Sequence, residues 1–175
     1  MRKKSKLMLF VDLLIVFALF SFDQYTKYLA VIHLKNQPAI VLLDGILELQ
    51  YLENRGSAFG MLQNQKFFIL FVGIVFMTVL FFFLFKLPGE KKFCIVHIAL
   101  SAVIAGGLGN MADRFRFDYV VDFISFVLIN FPIFNVADCY IVVSTILLFL
   151  LFLFVYKESD LAFLNFKQNR YREVK

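Results

Sequence analysis

The sequence predicts an all-α membrane protein of four transmembrane helices, with a small extracytoplasmic β-sheet between helices one and two. Three observations predict it. Hydrophobic residues make up 61% of the 175 positions, 25 of them Phe, and the mean hydropathy is +0.80, more apolar surface than a soluble core of this size can hide. Four apolar stretches, about 7–28, 67–87, 93–110 and 138–156, approach or reach the roughly 20 residues that cross a hydrocarbon core of about 30 Å. Lys and Arg also concentrate in alternate connections, as they do in chains that cross a bilayer several times.

The first stretch follows Arg2, Lys3, Lys4 and Lys6. It is long and has no small-residue cleavage site, so it reads as a retained helix rather than a signal peptide. The outer segment, about 39–60, is the β region. Ile40–Leu43 and Ile46–Leu52 flank Asp44-Gly45, a two-residue hairpin signal, and Leu47-Glu48-Leu49-Gln50-Tyr51 alternates as a half-buried strand does. Asn54-Arg55-Gly56-Ser57 then turns toward the second helix.

The third stretch contains Ala105-Gly106-Gly107-Leu108-Gly109, small residues that let helices approach closely. It and the fourth stretch are slightly short, which places their polar ends near an interface. Between them, 114–135 is rich in Phe, Val and Ile and reads as irregular backbone lying in the interface, covered by protein or lining a wet cavity. The tail, 157–175, mixes Leu161, Phe163, Leu164 and Phe166 with basic residues, as a strip lying on anionic lipid would. The whole, 1–175, is expected to be a single integral-membrane domain.

The amino terminus, the middle loop (Lys86, Lys91, Lys92) and the tail (Lys157, Lys167, Arg170, Arg172, Lys175) carry most of the basic residues; the other two loops hold Lys35, Arg55, Lys66, Arg114 and Arg116. Both termini are then cytoplasmic. The net charge of +5 is a topology signal, not a footprint for nucleic acid. Cys94, Cys139, His33 and His97 have no metal-ligand spacing, so no metal, disulfide or other cofactor is expected.

Acids in or bordering apolar spans need a reason, because an ionisable side chain costs about 2.5–3.5 kcal/mol at a helix centre. Asp12, Asp23, Asp113, Asp122 and Asp138 qualify. Asp12, a lone acid nearer the inside, reads as structural. Asp23 and Lys27 stand four apart in the order that favours an ion pair, and an interfacial pair orienting the helix is the plain reading. Asn110-Met111-Ala112-Asp113-Arg114 closes the third helix, where packing and an Asp–Arg pair explain part of the pattern. Asn135-Val136-Ala137-Asp138 has the form of a capped helix start.

Asp122, in Val120-Val121-Asp122-Phe123-Ile124, has no adjacent base. A solvated turn would account for it, but if buried its pKa should rise, as a general acid requires. Asp138 in the first turn of a helix meets the positive end of the macrodipole, which favours negative charge. Two carboxylates in such different surroundings can divide acid and base roles. Ser and Cys in these loops lack a neighbouring His or Lys base, and no Gly-rich phosphate loop is present.

Together Asp23-Gln-Tyr-Thr-Lys27, Asn54-Arg-Gly56-Ser-Ala58-Phe59, Gly106-Gly-Leu-Gly-Asn110-Met-Ala-Asp113-Arg114, Val120-Val-Asp122-Phe and Phe134-Asn135-Val-Ala137-Asp138 resemble the motifs of the bacterial lipoprotein signal peptidases, signal peptidase II. The resemblance spans nearly the whole chain in order. It implies an intramembrane aspartic endopeptidase of the bacterial inner membrane, sensitive to globomycin-type inhibitors. Such an enzyme cuts a prolipoprotein on the amino side of its diacylglyceryl-modified cysteine, with an extracytoplasmic sheet cradling the substrate. It further implies Asp122 and Asp138 as the catalytic pair, with Asn54, Gly56, Asn110, Asp113, Arg114 and Asn135 shaping the substrate site and Asp23 and Lys27 supporting it. Arg114 is the candidate for hydrogen bonds to substrate backbone or lipid head. The expected partners are the lipid-modified substrate and membrane lipid, with no obligatory protein partner.

Because Asn-x-Ala-Asp occurs twice, Asp113 is an alternative to Asp122; the adjoining Arg114 argues against it, since a carboxylate held ionised by a guanidinium is a poor proton donor. A non-enzymatic transporter or proton-conducting subunit is the competing class, because intramembrane acids also mark ion pathways. A relay would spread its acids through the membrane depth, whereas these gather at one face. A scaffold whose acids only cap helices and form pairs is the other rival.

Overall fold

The computed structural model describes residues 6–56 and 65–164. Four helices, α1 (Lys6–Leu34), α2 (Lys66–Lys86), α3 (Cys94–Phe117) and α4 (Val136–Phe154), are each long and apolar enough to cross a membrane. Phe, Leu, Ile and Val side chains such as Phe10, Phe17, Phe71, Phe76, Val143 and Phe149 point outward and are exposed, as helix faces solvated by lipid are. The predicted basic residues Arg2, Lys3, Lys4, Lys167, Arg170, Arg172 and Lys175, together with Ser57, Ala58, Phe59 and Phe166, lie outside the described residues.

The bundle is organised around α3. Val96, Leu100, Val103, Ile104 and Ala105 are all buried, and one core joins Leu100, Ile104 and Ala105 to Val16 of α1 and Met77 and Leu84 of α2. The small-residue run lets α4 close on α3: a Cβ on Gly106 would stand 2.5 Å from the Ala137 carbonyl oxygen. At the opposite end of α3, Phe93 is enclosed by Leu87, Val96 and Leu151.

The hairpin predicted in the first loop is present, as β1 (Ile40–Leu43) and β2 (Leu47–Asn54). Its turn is one residue longer than the two-residue signal suggested: Leu43 pairs with Leu47 across 44–46, and Gly45 takes φ +66°, a conformation glycine adopts without steric cost. The loop between α3 and α4 supplies a third strand, β3 (Val120–Phe126), antiparallel to β2 with Leu52 opposite Asp122 and Asn54 opposite Val120. The expectation of irregular backbone at 114–135 is therefore corrected. The strand hides both faces of Val120–Phe123, so it has no alternation to betray it. Its inner side packs on α1 through Ala30, Leu34, Val121 and Phe123.

Two helix boundaries also move. α3 runs seven residues past Asn110, to a left-handed Asp118 at φ 68°, the usual way a helix is stopped. Of its polar last turns Asp113 is buried, Asn110 and Arg114 are half-buried, and Phe115, Arg116 and Phe117 are exposed. α1 has 29 residues, about 43 Å at 1.5 Å per residue, longer than a hydrocarbon core of about 30 Å, and its last turns carry the sheet through Ala30 and Leu34. In the tail, Glu158–Leu164 forms a 3-10 turn. Phe163 meets the Phe93 ring edge-on at 5.6 Å, where a strip lying on lipid was predicted.

Candidate active site

Every acid-bearing motif except Asp12 converges where the end of α1, the end of α3 and the start of α4 meet β2 and β3. On α1, Asp23 and Lys27 lie one turn apart and both face α3. Lys27 Nζ is 3.0 Å from Asp23 Oδ2, 3.0 Å from Asp113 Oδ2 and 2.9 Å from Asn110 Oδ1. An ammonium has three protons, and all three have acceptors. Asp23 Oδ1 accepts from the Ala137 backbone N–H at 3.0 Å, so one carboxylate ties α1 to the first turn of α4. Gly109 has to be glycine here, because a Cβ would collide with Asp23 Oδ2.

The start of α4 is a capping box. The Asn135 side chain accepts from Asp138 N at 3.1 Å, and Asp138 Oδ2 accepts from Asn135 N at 3.1 Å, satisfying two amides that a helix start leaves without partners. The same asparagine turns its Nδ2 the other way, donating to Asp122 Oδ1 at 2.6 Å and to Asn110 Oδ1 at 3.2 Å. Asn110 Nδ2 donates to Asp138 Oδ1 at 2.8 Å. Asp122 Oδ2 accepts from Asn54 Nδ2 at 2.8 Å. Two carboxylates from separate elements are thus held in one network by three amide side chains.

The turn after β2 is anchored at Gly56 through both its amide and its carbonyl. Gly56 N donates to Asn54 Oδ1 at 3.0 Å, and Gly56 O accepts from Arg114 Nη2 at 2.8 Å. Between them Arg55 lies over the Tyr119 ring, 5.5 Å from its centroid, and reaches Glu53 at 3.3 Å. Arg114 Nη1 also donates to its own helix at Asn110 O, 3.2 Å away. In this structure Arg114 braces protein backbone.

Asp122 is 1% exposed. Burial pushes its carboxyl up to about 6 from the ordinary 3.8, outweighing the stabilising hydrogen bonds from Asn54 and Asn135, and the neighbouring Asp138 charge adds to the rise. A carboxyl raised this far holds its proton up to about pH 6, closer to neutrality than an ordinary aspartate, and can donate it. Among the described residues, no three His, Cys, Asp or Glu side chains are grouped to hold a metal.

All ten predicted residues, Asp23, Lys27, Asn54, Gly56, Asn110, Asp113, Arg114, Asp122, Asn135 and Asp138, fall in this one cluster. Two details differ from expectation. The expected Asp113–Arg114 pair is absent; Lys27 holds Asp113, because adjacent residues on a helix point in different directions. Asp12 is not a lone acid: at the other end of the bundle its carboxylate meets His97 Nδ1 at 3.0 Å, both side chains buried. Sequence reasoning also passed over Gln24, whose amide reaches Asp113 Oδ1 at 2.9 Å, and the backbone donors of Val121 and Ala137.

The sequence profile of the family described as Signal peptidase (SPase) II matches residues 15–154. The lipoprotein signal peptidase of Caldanaerobacter subterraneus is 42% identical over 133 residues, covering 75% of this chain and 88% of that protein. The lipoprotein signal peptidase of Streptococcus thermophilus is 38% identical over 145 residues, 83% of this chain and 92% of that one. A bacterial membrane enzyme solved by the in meso method at 2.3 Å superposes with a TM-score of 0.74 and 29% identity, over 90% of this chain and 97% of its own. With match, fold and clustered motifs in agreement, this four-helix membrane protein belongs to the signal peptidase II family.

Proposed function

We propose that the chain is an intramembrane aspartic endopeptidase. It removes the signal peptide from diacylglyceryl-modified prolipoproteins by cutting on the amino side of the lipid-modified cysteine, with Asp122 and Asp138 as the catalytic pair. One observation carries the reading: two carboxylates, from β3 and α4, are linked through Asn135 and Asn110 at one end of the bundle. A relay would need acids along the membrane depth, and the relatives lend nothing to a transporter or proton-conducting subunit.

The chemistry follows from paired acids. The ionised carboxylate takes a proton from a water molecule, whose oxygen attacks the scissile carbonyl carbon, while the protonated carboxyl donates a hydrogen bond to the carbonyl oxygen. Collapse of the tetrahedral intermediate breaks the C–N bond, and the proton passes to the departing cysteine amine. The pair titrates jointly, so these are roles of the pair rather than fixed labels. The raised Asp122 carboxyl favours it as the protonated member of the resting pair. Asp113 is left out because Lys27 holds it as an ion pair.

The distribution of basic residues supports cytoplasmic termini and a site near the extracytoplasmic face of the bacterial inner membrane. The sheet then flanks the entering substrate. No metal, cofactor or obligatory protein partner is required, and globomycin-type inhibitors block the site. The test is conversion of a diacylglyceryl prolipoprotein by purified protein, followed on a gel, for wild type and for Asp122→Asn, Asp138→Asn and Asp113→Asn. The first two variants lose cleavage and the third retains part of it. Full activity in Asp122→Asn or Asp138→Asn sinks the assignment.

A further inference from the structure

We propose that Gln24 is a positioning residue, which through Asp113 sets the strand carrying Asp122. The inference rests on the Asp122–Asp138 reading above. Gln24 Nε2 is 2.9 Å from Asp113 Oδ1, 3.2 Å from Asp23 Oδ2 and 3.4 Å from Gly109 O. Its Oε1 faces Arg116 Nη1 at 3.5 Å. One amide group on α1 therefore meets both buried acids of the Lys27 cluster and the backbone of α3.

Asp113 divides its two oxygens. Oδ2 accepts from Lys27 Nζ at 3.0 Å and from the Val121 backbone N–H at 3.3 Å, while Oδ1 takes Gln24. Val121 immediately precedes Asp122 on β3. Among the described residues, Gln24 supplies the donor to Oδ1. Without it, a 1% exposed carboxylate turns about its side-chain bond toward the donors that remain, and the Val121 amide loses its fixed acceptor. A catalytic constellation tolerates about 0.5 Å of displacement, so a loosened Val121 is felt at Asp122. Glutamate at position 24 is worse than alanine, because it adds a third carboxylate to the two that share Lys27.

The full chain, purified in detergent, is assayed on diacylglyceryl prolipoprotein for kcat and KM, with unfolding temperature measured for each variant. Gln24→Ala lowers kcat about 10- to 100-fold and leaves KM within about threefold. Gln24→Glu loses at least as much. Combining Gln24→Glu with Asp113→Asn exchanges donor and acceptor: the new amide at 113 donates to the new carboxylate at 24, and its oxygen still accepts from Val121 N. This pair recovers kcat to within about fivefold of wild type. Two outcomes overturn the proposal: a Gln24→Ala kcat within twofold of wild type, or a loss of kcat that only follows a loss of unfolding temperature and that the exchanged pair does not recover. Asp122→Asn runs alongside. If it cleaves normally, the catalytic reading fails and the Gln24 proposal with it; if it is inactive while Gln24→Ala is normal, only the Gln24 proposal fails.

Discussion

Gly106→Ala is the sharpest probe of how the bundle presents Asp138. A methyl at this position would stand 2.5 Å from the Ala137 carbonyl oxygen and 2.9 Å from Ile141 Cγ1, whereas ordinary contact begins near 3.4 Å. The obstruction is backbone of α4, one residue before Asp138. The helix start must therefore move by about 0.9 Å, the shortfall from ordinary contact. Forced overpacking costs about 1–3 kcal/mol, and a displacement near 1 Å costs about 100-fold in rate. Gly107→Ala is the matched control. Its methyl would meet Met77 Sδ at 2.8 Å, the soft part of a flexible side chain. Both substitutions gain the same helix propensity, about 1 kcal/mol, so their difference isolates the steric contact. Initial rates on lipid-modified prolipoprotein and unfolding temperature in detergent are the readouts. Gly106→Ala should lose about 10- to 100-fold in kcat and several degrees, with Gly107→Ala within about threefold of wild type. Equal behaviour of the two variants would refute the claim that the Gly106 contact seats Asp138.

Lys27→Met strands Asp23 and Asp113 without their shared cation, so the protein should lose about 3–5 kcal/mol; an unchanged unfolding temperature contradicts this. Because the folded Asp122 carboxyl is raised from 3.8 to about 6, the folded state holds that proton more tightly than the unfolded chain. Its stabilising contribution is present below about pH 4 and is lost as pH rises through about 6. Relative to wild type, Asp122→Asn therefore gains about 2 kcal/mol between pH 4 and pH 7; a pH-independent difference counts against the raised carboxyl. Asn135→Ala removes both the helix cap, about 1 kcal/mol, and the link between the aspartates. Cleavage should be lost even at temperatures where the variant is folded, and half-normal rates there would contradict the network. Dialysis against a metal chelator leaves activity unchanged, and loss restored by added zinc or magnesium would exclude a mechanism carried by two acids alone.

The four helices were readable because each leaves a long, nearly uninterrupted apolar record, and the five motifs contain the ten expected residues that the structure gathers, with Gln24 of the same cluster passed over. What could not be read depended on partners distant in the chain. α3 continues through Asn110, Asp113 and Arg114 because Lys27, Asn135 and Gly56 await those side chains, a fact hydropathy does not encode. β3 pairs with β2 across 66 to 79 residues and is covered on both sides along Val120–Phe123, so the sequence there reads as apolar loop. Backbone donors such as Val121 N and Ala137 N have no side-chain signature. The choice of Asp122 over Asp113 leaned on Arg114, whereas the neutralising charge comes from Lys27 on another helix.

Asn135 serves both as the cap of α4 and as the tie between Asp122 and Asp138. A helix can cross the bilayer before it meets its neighbours, but the amide of this cap reaches Asn110 only when α3 is alongside and Asp122 only when β3 has docked. If the two aspartates are the catalytic pair proposed above, a chain whose β3 has not yet met α4 holds them unlinked and should leave surrounding membrane proteins uncut.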